Sequence, residues 1–186
     1  NKDDYVKLRA NTDSKALKLR FSDNKIFIKN HPRNQSLKKI YELSEIVRCE
    51  ILGSKMLNGI KKNLEDNYYQ KINNIKQNDI NTKKETNITE AFELYFLEKF
   101  FKLNLNKISL EILGHWRKEF DINFNDHLNY LEQNIENQGN YNSKFSQLLE
   151  KMDIFKDTQD QESSQKHNNQ NPANNESSNK NDDEKN

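Results

Sequence analysis

Apolar residues recur at helical spacing through most of this chain. Residues three and four positions apart share one face of an α-helix, so each such series predicts an amphipathic helix. Three series of this kind occur. A further stretch, AFELYFLEKFF at residues 91–101, is apolar on most sides and predicts a helix at the centre of the core. Together these stretches predict a mainly α protein: a single helical domain of about five to six helices. The three amphipathic series are Ile40, Leu43, Val47 and Ile51; Phe124, Leu128, Leu131 and Ile135; and Tyr141, Phe145, Leu148 and Met152.

Polar residues between these stretches predict where helices begin and end. Asn87 and Glu90 have capping-box spacing ahead of the central stretch. Ser109 can cap a short helix that follows it. Gly139 separates the last two apolar series and is a predicted helix stop. A polar loop, roughly residues 73–87, separates the first long helix from the rest.

The amino-terminal stretch is ambiguous. The segment KALKLRF, residues 15–21, alternates as a strand does, and KIFIK follows after a Ser-Asp-Asn turn, which fits a β-hairpin. A short helix capped by Asp13 fits the propensities equally well. The residues themselves leave both structures open.

The longest predicted helix contains two of the four glycines in the chain. Each glycine inside a helix costs about 1 kcal/mol relative to alanine, so each needs a reason. The first apolar stripe and a second one are displaced by about 100° on a helical wheel, and Gly53 lies where they join. This arrangement predicts one long helix bent at Gly53. The second stripe consists of Leu57, Ile60, Leu64 and Tyr68.

Two explanations of these glycines remain open. In the structural one, Gly53 permits a bend and Gly59 permits a close helix crossing within the domain. In the functional one, the bent region receives another subunit. The charged side chains of Glu45, Arg48 and Glu50 would then supply contacts to that subunit.

Composition changes sharply near residue 155. From Lys156 onward Ala173 is the one hydrophobic residue, and seven acidic residues accompany four basic ones. Such a segment buries too little apolar surface to offset the entropy of ordering it. We therefore predict a helical domain at residues 1–155, followed by a disordered, mildly acidic linker at residues 156–186.

Several kinds of chemistry have no sequence signal here. The net charge of +1 gives no global field toward nucleic acid or anionic lipid, and no segment has the pattern of a membrane span or a secretory signal. Phosphate-binding glycine loops are absent, and no two histidines have the i, i+4 spacing of paired metal ligands. The single cysteine, Cys49, is predicted to be a buried apolar residue. We therefore expect no catalytic, cofactor-binding or metal-binding residues in this chain and a cytoplasmic location.

The order of residues in three segments resembles the amino-terminal region of the cobaltochelatase T subunit family, CobT. These segments are RANTDSKALKLRFSD at residues 9–23, SEIVRCEILGSKMLNGIKKNLEDNYY at 44–69 and LGHWRKEF at 113–120. The family pattern R-G-x-A-D-S-x-A-L is followed by E-x-x-R-x-E-x-x-G-x-x-x-M-x-G-V-x-x-N-L. Departures include Ala10 for the usual glycine, Ile60 for valine and Leu57 for methionine. Matching residues are Arg9, Asp13, Ser14, Ala16 and Leu17 in the first pattern and Glu45, Arg48, Glu50, Gly53, Gly59, Asn63 and Leu64 in the second.

The resemblance implies a role in a multi-subunit enzyme. In such a complex a corrin-binding subunit, an AAA+ ATPase subunit and the T subunit insert cobalt(II) into hydrogenobyrinic acid a,c-diamide, with ATP and Mg, during cobalamin synthesis. The metal-binding von Willebrand A-type domain of the family, with its D-x-S-x-S motif, has no counterpart in these residues. The resemblance also favours a helix at the amino end.

The resemblance thus implies a non-catalytic assembly and coupling domain of this ligase, with no nucleic-acid or membrane partner. The alternative is a stand-alone helical interaction module unrelated to corrin chemistry, and a weaker third option is an RNA-associated helical protein. Candidate partner-interface residues are Glu45, Arg48, Glu50, Gly53, Gly59 and Asn63.

Overall fold

A computed structural model describes residues 2–75 and 87–152, and within these ranges all regular secondary structure is helical. This confirms the mainly α prediction. The amino-terminal stretch forms helices, so the hairpin alternative is wrong there. The helices are α1 (Lys2–Phe21), α2 (Asn24–Lys29), α3 (Gln35–Met56), α4 (Asn58–Asn74), α5 (Ile88–Lys99), α6 (Lys107–Gly114), α7 (Arg117–Phe124), α8 (Leu128–Gln133) and α9 (Gln138–Lys151), with a 3-10 helix at Asn125–His127.

The described ranges contain more helices than the five to six expected, in part because two predicted helices are divided. The apolar series from Phe124 to Ile135 spans the end of α7, the 3-10 helix and α8. A regular apolar spacing continues through such short breaks, since a 3-10 turn rotates the chain only slightly differently from an α turn. The pattern therefore predicted the buried face correctly but merged its elements.

The predicted long bent helix is two helices that meet at Leu57. The Leu57 backbone is extended, with φ −137° and ψ 109°, and α4 begins at the next residue. Gly53 lies inside α3, where its carbonyl accepts a hydrogen bond from the Leu57 N–H at 3.0 Å. The bend predicted at Gly53 is therefore wrong. The shift between the two apolar stripes does reflect a change in which side of the chain is buried. The chain changes direction at Leu57, four residues after Gly53, and then folds back.

Neither glycine has the role that the structural explanation gave it. A Cβ added at Gly53 would lie 2.3 Å from Cδ2 of Leu17, so Gly53 permits a close crossing of α1 over α3. A Cβ at Gly59 would meet nothing within 4 Å, and Gly59 is exposed in the first turn of α4. The close crossing predicted at Gly59 is therefore wrong.

The core is organised around α5, as the sequence predicted. Phe92 and Phe96 of α5 are buried, and the Phe92 ring lies 4.9 Å from Phe120, 5.1 Å from Phe124 and 6.0 Å from Phe145. These rings come from α7 and α9, so one aromatic cluster joins three helices. Helix α1 packs on both α3 and α4, and α9 packs on α2 and α3.

The helix ends show which predicted caps were correct. Asn87 caps α5, because its side chain accepts a hydrogen bond from the Thr89 N–H. Ser109 is not a cap; its N–H donates to Asn106, the residue that caps α6, at 2.8 Å. Gly139 is not a helix stop, since it lies in the first turn of α9, after the cap Asn137.

Part of the predicted organisation falls outside the described residues. The linker predicted at residues 156–186 and most of the loop predicted at 73–87 lie there, and both stay predictions. None of the helices in the described ranges is long and apolar enough to cross a membrane.

Candidate functional site

The charged residues predicted to contact a partner lie inside the domain. Glu45, Arg48 and Glu50 are 0%, 1% and 3% exposed, and they lie on consecutive turns of α3. A buried charge is unfavourable unless it is paired and hydrogen-bonded, so the contacts of these side chains within the chain determine what they do.

Arg48 joins three parts of the chain. Its Nε and Nη2 donate to both carboxylate oxygens of Glu45, at 2.9 and 2.8 Å. The remaining donors reach backbone carbonyls: Nη1 to Ile135 at 2.9 Å and Nη2 to Phe21 at 2.6 Å. Burial by itself lowers the pKa of Arg48, but the hydrogen bond and the charge of Glu45 outweigh it and raise the pKa. Arg48 therefore stays charged and ties the end of α1 and the segment after α8 to α3.

Gln138, the first residue of α9, extends this group. Its Nε2 donates to Glu45 Oε1 at 3.0 Å and to the Asp23 carbonyl at 3.1 Å, while its Oε1 accepts from the Asp23 N–H at 2.7 Å. Glu45, Arg48 and Gln138 together form what we call the Arg48 cluster. It holds the α1–α2 junction against α3 and α9. No sequence pattern marked Gln138, since a single glutamine at the start of a helix resembles any polar residue there.

Cys49 lies beside the Arg48 cluster and is buried, as predicted. Burial, and then the charge of Glu45, raise the pKa of its thiol to about 12. Because the thiolate is the reactive form and Cys49 is buried, we expect the thiol to be unreactive in the folded chain.

A second polar group joins α1, α3 and α4. The Tyr68 hydroxyl donates to Glu50 Oε2, and Ser14 also hydrogen-bonds to Glu50. Burial raises the pKa of Glu50, although these two hydrogen bonds oppose the shift. Burial and the Glu50 charge raise the pKa of Tyr68 well above its ordinary value. We call Ser14, Glu50 and Tyr68 the Glu50 cluster.

Asn63 makes a further contact between helices, since its Nδ2 donates to Asp13 Oδ2 at 2.7 Å. This bond joins α4 to α1, one turn before Leu17 packs on Gly53. The residues of the two sequence patterns therefore meet each other: Asp13 with Asn63, Ser14 with Glu50, and Leu17 with Gly53. Among the six predicted interface residues, Gly59 has open space around its Cα.

The arrangement holds helices together. No group of three or more His, Cys, Asp or Glu side chains that could hold a metal ion occurs in residues 2–75 and 87–152. Whether Glu45, Arg48, Glu50, Gly53, Gly59 and Asn63 also affect a partner stays a prediction. In the structure Glu50, Gly53 and Asn63 contact α1, Glu45 and Arg48 belong to the Arg48 cluster, and Gly59 has no neighbour within 4 Å of an added Cβ.

The fold and these clusters define a helical structural domain in which the residues of two separated sequence patterns pair across helices. The family model for CobT, described as cobalamin biosynthesis protein CobT, matches residues 1–186. The chain therefore belongs to the CobT family, and the resemblance found in the sequence is confirmed. This family is part of cobaltochelatase, a ligase complex of cobalamin biosynthesis. Comparison with curated proteins and with solved structures gave no match.

Proposed function

We propose that this chain is a non-catalytic assembly and coupling domain of cobaltochelatase. It binds other subunits of a complex that inserts cobalt(II) into hydrogenobyrinic acid a,c-diamide in the cytoplasm. The AAA+ ATPase subunit uses ATP and Mg, the large subunit holds the corrin, and the helical domain transmits movement between them. The family membership supports the cobalamin pathway and the cobaltochelatase complex.

The proposal rests on the contacts that the charged residues of the sequence pattern make within the chain. Glu45 and Arg48 are bound to each other and to backbone carbonyls from two other segments. A buried charged group with all its hydrogen bonds in place specifies how its helices pack, and it has no free position for a substrate. Helices that are fixed to one another in this way suit a domain that transmits movement from one partner subunit to another.

A competition experiment tests this role with the 186-residue chain itself. The complete cobaltochelatase is reconstituted from its three subunits, and cobalt insertion is followed from the absorbance of the corrin. Added chain should inhibit insertion in a dose-dependent manner. It would occupy the site on another subunit that the intact T subunit binds, without supplying the rest of the T subunit. Inhibition should be overcome by raising the concentration of the intact T subunit.

Two results would contradict the proposal. If the chain does not inhibit insertion at any concentration, it does not bind the other subunits. If the chain replaces the intact T subunit and supports insertion, it is not merely an assembly domain. An Arg48→Met chain, whose packing is disrupted, serves as the control for non-specific inhibition.

A further inference from the structure

Helix α1 leaves one side uncovered. Tyr5, Leu8 and Leu19 are 59%, 65% and 87% exposed, and they lie within about 60° of one another around the helix axis. Ile28 of α2 is 60% exposed as well. We call this surface, the outer side of α1 together with α2, the α1–α2 face. Of these side chains, Leu19 also lines a groove at this surface.

A groove lies between the two helices of this face. Its volume is about 490 Å³, and its lining comprises Lys15, Lys18, Leu19, Ser22, Asn24 and Phe27. Lys18 lies over the Phe27 ring, with its Nζ 5.4 Å from the ring centroid. The floor of the groove is thus apolar and its edge carries two lysines. This volume is within the range of roughly 300–1,000 Å³ that is typical of ligand-binding pockets.

Basic residues outnumber acidic ones in the segment that forms most of α1 and all of α2. Residues 5–29 contain seven basic and two acidic residues, although the whole chain has a net charge of only +1. Both acids are engaged elsewhere: Asp13 accepts from Asn63 on the inner side of α1, and Asp23 Oδ1 accepts the N–H groups of Lys25 and Ile26 at the start of α2. The face therefore presents a local positive field around an apolar groove.

We propose that the α1–α2 face binds an acidic helical segment of a protein partner and that this segment places an apolar side chain in the groove between Lys15, Leu19 and Phe27. The proposal deepens the proposed function, since it identifies the face that an assembly domain would use. Basic residues around an apolar groove match a helix with acidic residues on either side of its apolar anchors.

Two other classes of partner fit the face less well. A membrane is flat and would need a continuous apolar strip, whereas the polar residues Thr12 and Lys15 separate Leu8 from Leu19 on the outer side of α1. A nucleic acid would stack its bases on exposed aromatic rings, and one side of the exposed Tyr5 ring already has the Arg9 guanidinium 5.6 Å from its centroid. Both classes are included as outcomes of the test.

The first experiment measures binding of synthetic peptides to the 186-residue chain by methyl NMR. The probe is a helical peptide of Glu, Leu and Ala; one control has Lys in place of each Glu, and another has Ala in place of each Leu. The acidic Leu-containing peptide should shift the methyl signals of Leu19 and Ile28, and the two controls should not. Shifts at other positions, no shifts, or equal shifts with all three peptides would overturn the proposal.

Charge reversal supplies the matched variants. Lys15→Glu with Lys18→Glu should weaken binding of the acidic peptide at least about tenfold, because two attractive charges at the groove become repulsive. Lys107→Glu with Lys118→Glu makes the same change in net charge at exposed positions of α6 and α7 and should leave affinity within about twofold. Leu19→Asp, at a position with little contact to the core, tests the groove if the lysine variant does not fold.

The second experiment uses the purified AAA+ subunit and the corrin-binding subunit as ligands, with polyuridylate and vesicles containing anionic phospholipid as competitors. Loss of subunit binding in the Lys15/Lys18 variant but not in the Lys107/Lys118 variant supports the proposal. Subunit binding that both variants retain overturns the α1–α2 face and leaves the proposed function standing. Peptide binding without subunit binding contradicts the proposed function alone. Tighter binding of polyuridylate or vesicles than of the acidic peptide overturns the protein-partner proposal.

Discussion

A methyl group added at Gly53 enters space that Leu17 already occupies. The added Cβ would lie 2.3 and 2.5 Å from the two Cδ atoms of Leu17 and 2.9 Å from its Cγ. Carbon atoms in contact prefer separations of roughly 3.5–4.0 Å, so Leu17 must withdraw by about 1 Å. Leu17 is only 5% exposed, and a side chain in a filled core has little room for such a movement.

The expected effect of Gly53→Ala follows from two opposing quantities. Overpacking a core costs about 1–3 kcal/mol. Replacing glycine by alanine inside a helix returns about 1 kcal/mol. The net expectation is a decrease in the free energy of unfolding of about 1 kcal/mol.

Gly59→Ala is the matched control, because no atom lies within 4 Å of the added Cβ. The same change should raise the free energy of unfolding there by up to about 1 kcal/mol, since helix propensity and the lower entropy of the unfolded chain both favour alanine. The two variants should differ by about 2 kcal/mol. Urea denaturation followed by circular dichroism measures this difference directly.

A double variant tests the cause. Leu17→Ala alone should cost about 2–5 kcal/mol, since it leaves a cavity at the crossing. Adding Gly53→Ala fills part of that cavity, so the second change should be neutral or stabilising in this background, with a favourable coupling of about 1–2 kcal/mol. The reasoning is refuted if Gly53→Ala is at least as stable as Gly59→Ala, or if the two changes at the crossing are additive.

Three further variants or treatments test the buried polar groups. Arg48→Met should lower the free energy of unfolding by about 3–5 kcal/mol, because Glu45 is left buried without its partner, and Arg48→Lys should not restore it because lysine lacks the planar fork; a Lys variant of wild-type stability would contradict the geometry. Burial raises the pKa of Glu50 above its ordinary value of 4.5, so the folded state binds a proton more readily than the unfolded state does. As the pH rises from 4.5 through the folded-state pKa, the wild type should therefore lose stability relative to Glu50→Gln. Parallel stability profiles of the two proteins in urea between about pH 4 and 8 would refute this. Cys49, with its thiol pKa near 12, should react with dithionitrobenzoate at pH 8 only after denaturant is added, and rapid labelling of the folded chain would show that the thiol is accessible.

The helical character was predictable because apolar spacing reports which face of a segment is buried. The series ending at Met152 became α9 with Tyr141 and Phe145 inside, and the segment at residues 91–101 became the core helix. Helix boundaries were less predictable. Leu57 is an apolar residue without a capping side chain, and its exposure at the junction of α3 and α4 conflicts with its place in the apolar stripe.

The candidate site was predictable in its residues but not in its location. The second pattern pointed to Glu45, Arg48 and Glu50, but a charged residue in a sequence is more often exposed than buried, so a surface role was the natural expectation. Burial depends on partners distant in the chain. The Ile135 carbonyl is 87 residues from Arg48, and the Phe21 carbonyl is 27 residues away. Backbone acceptors of this kind have no sequence signature.

The sequence patterns did not identify the α1–α2 face, for a related reason. Tyr5, Leu8 and Leu19 lie on one side of α1, but the alternating segment at residues 15–21 resembled a strand as much as a helix. Only the helix places Leu19 on the outer side and Leu17 against Gly53. The concentration of lysine and arginine there was hidden by the balanced charge of the whole chain.

Hydrogen exchange of the chain, measured alone and bound to the AAA+ subunit, tests the central claim most directly: the pattern residues hold the helices together, and the outer side of α1 and α2 contacts the partner. We expect amides of residues 44–53 to exchange slowly in the free chain and to change little on binding, while residues 5–29 gain protection. The contrary result is fast exchange of residues 44–63 in the free chain, followed by protection on binding, with residues 5–29 unchanged. That result would make the buried clusters the docking surface and contradict the account.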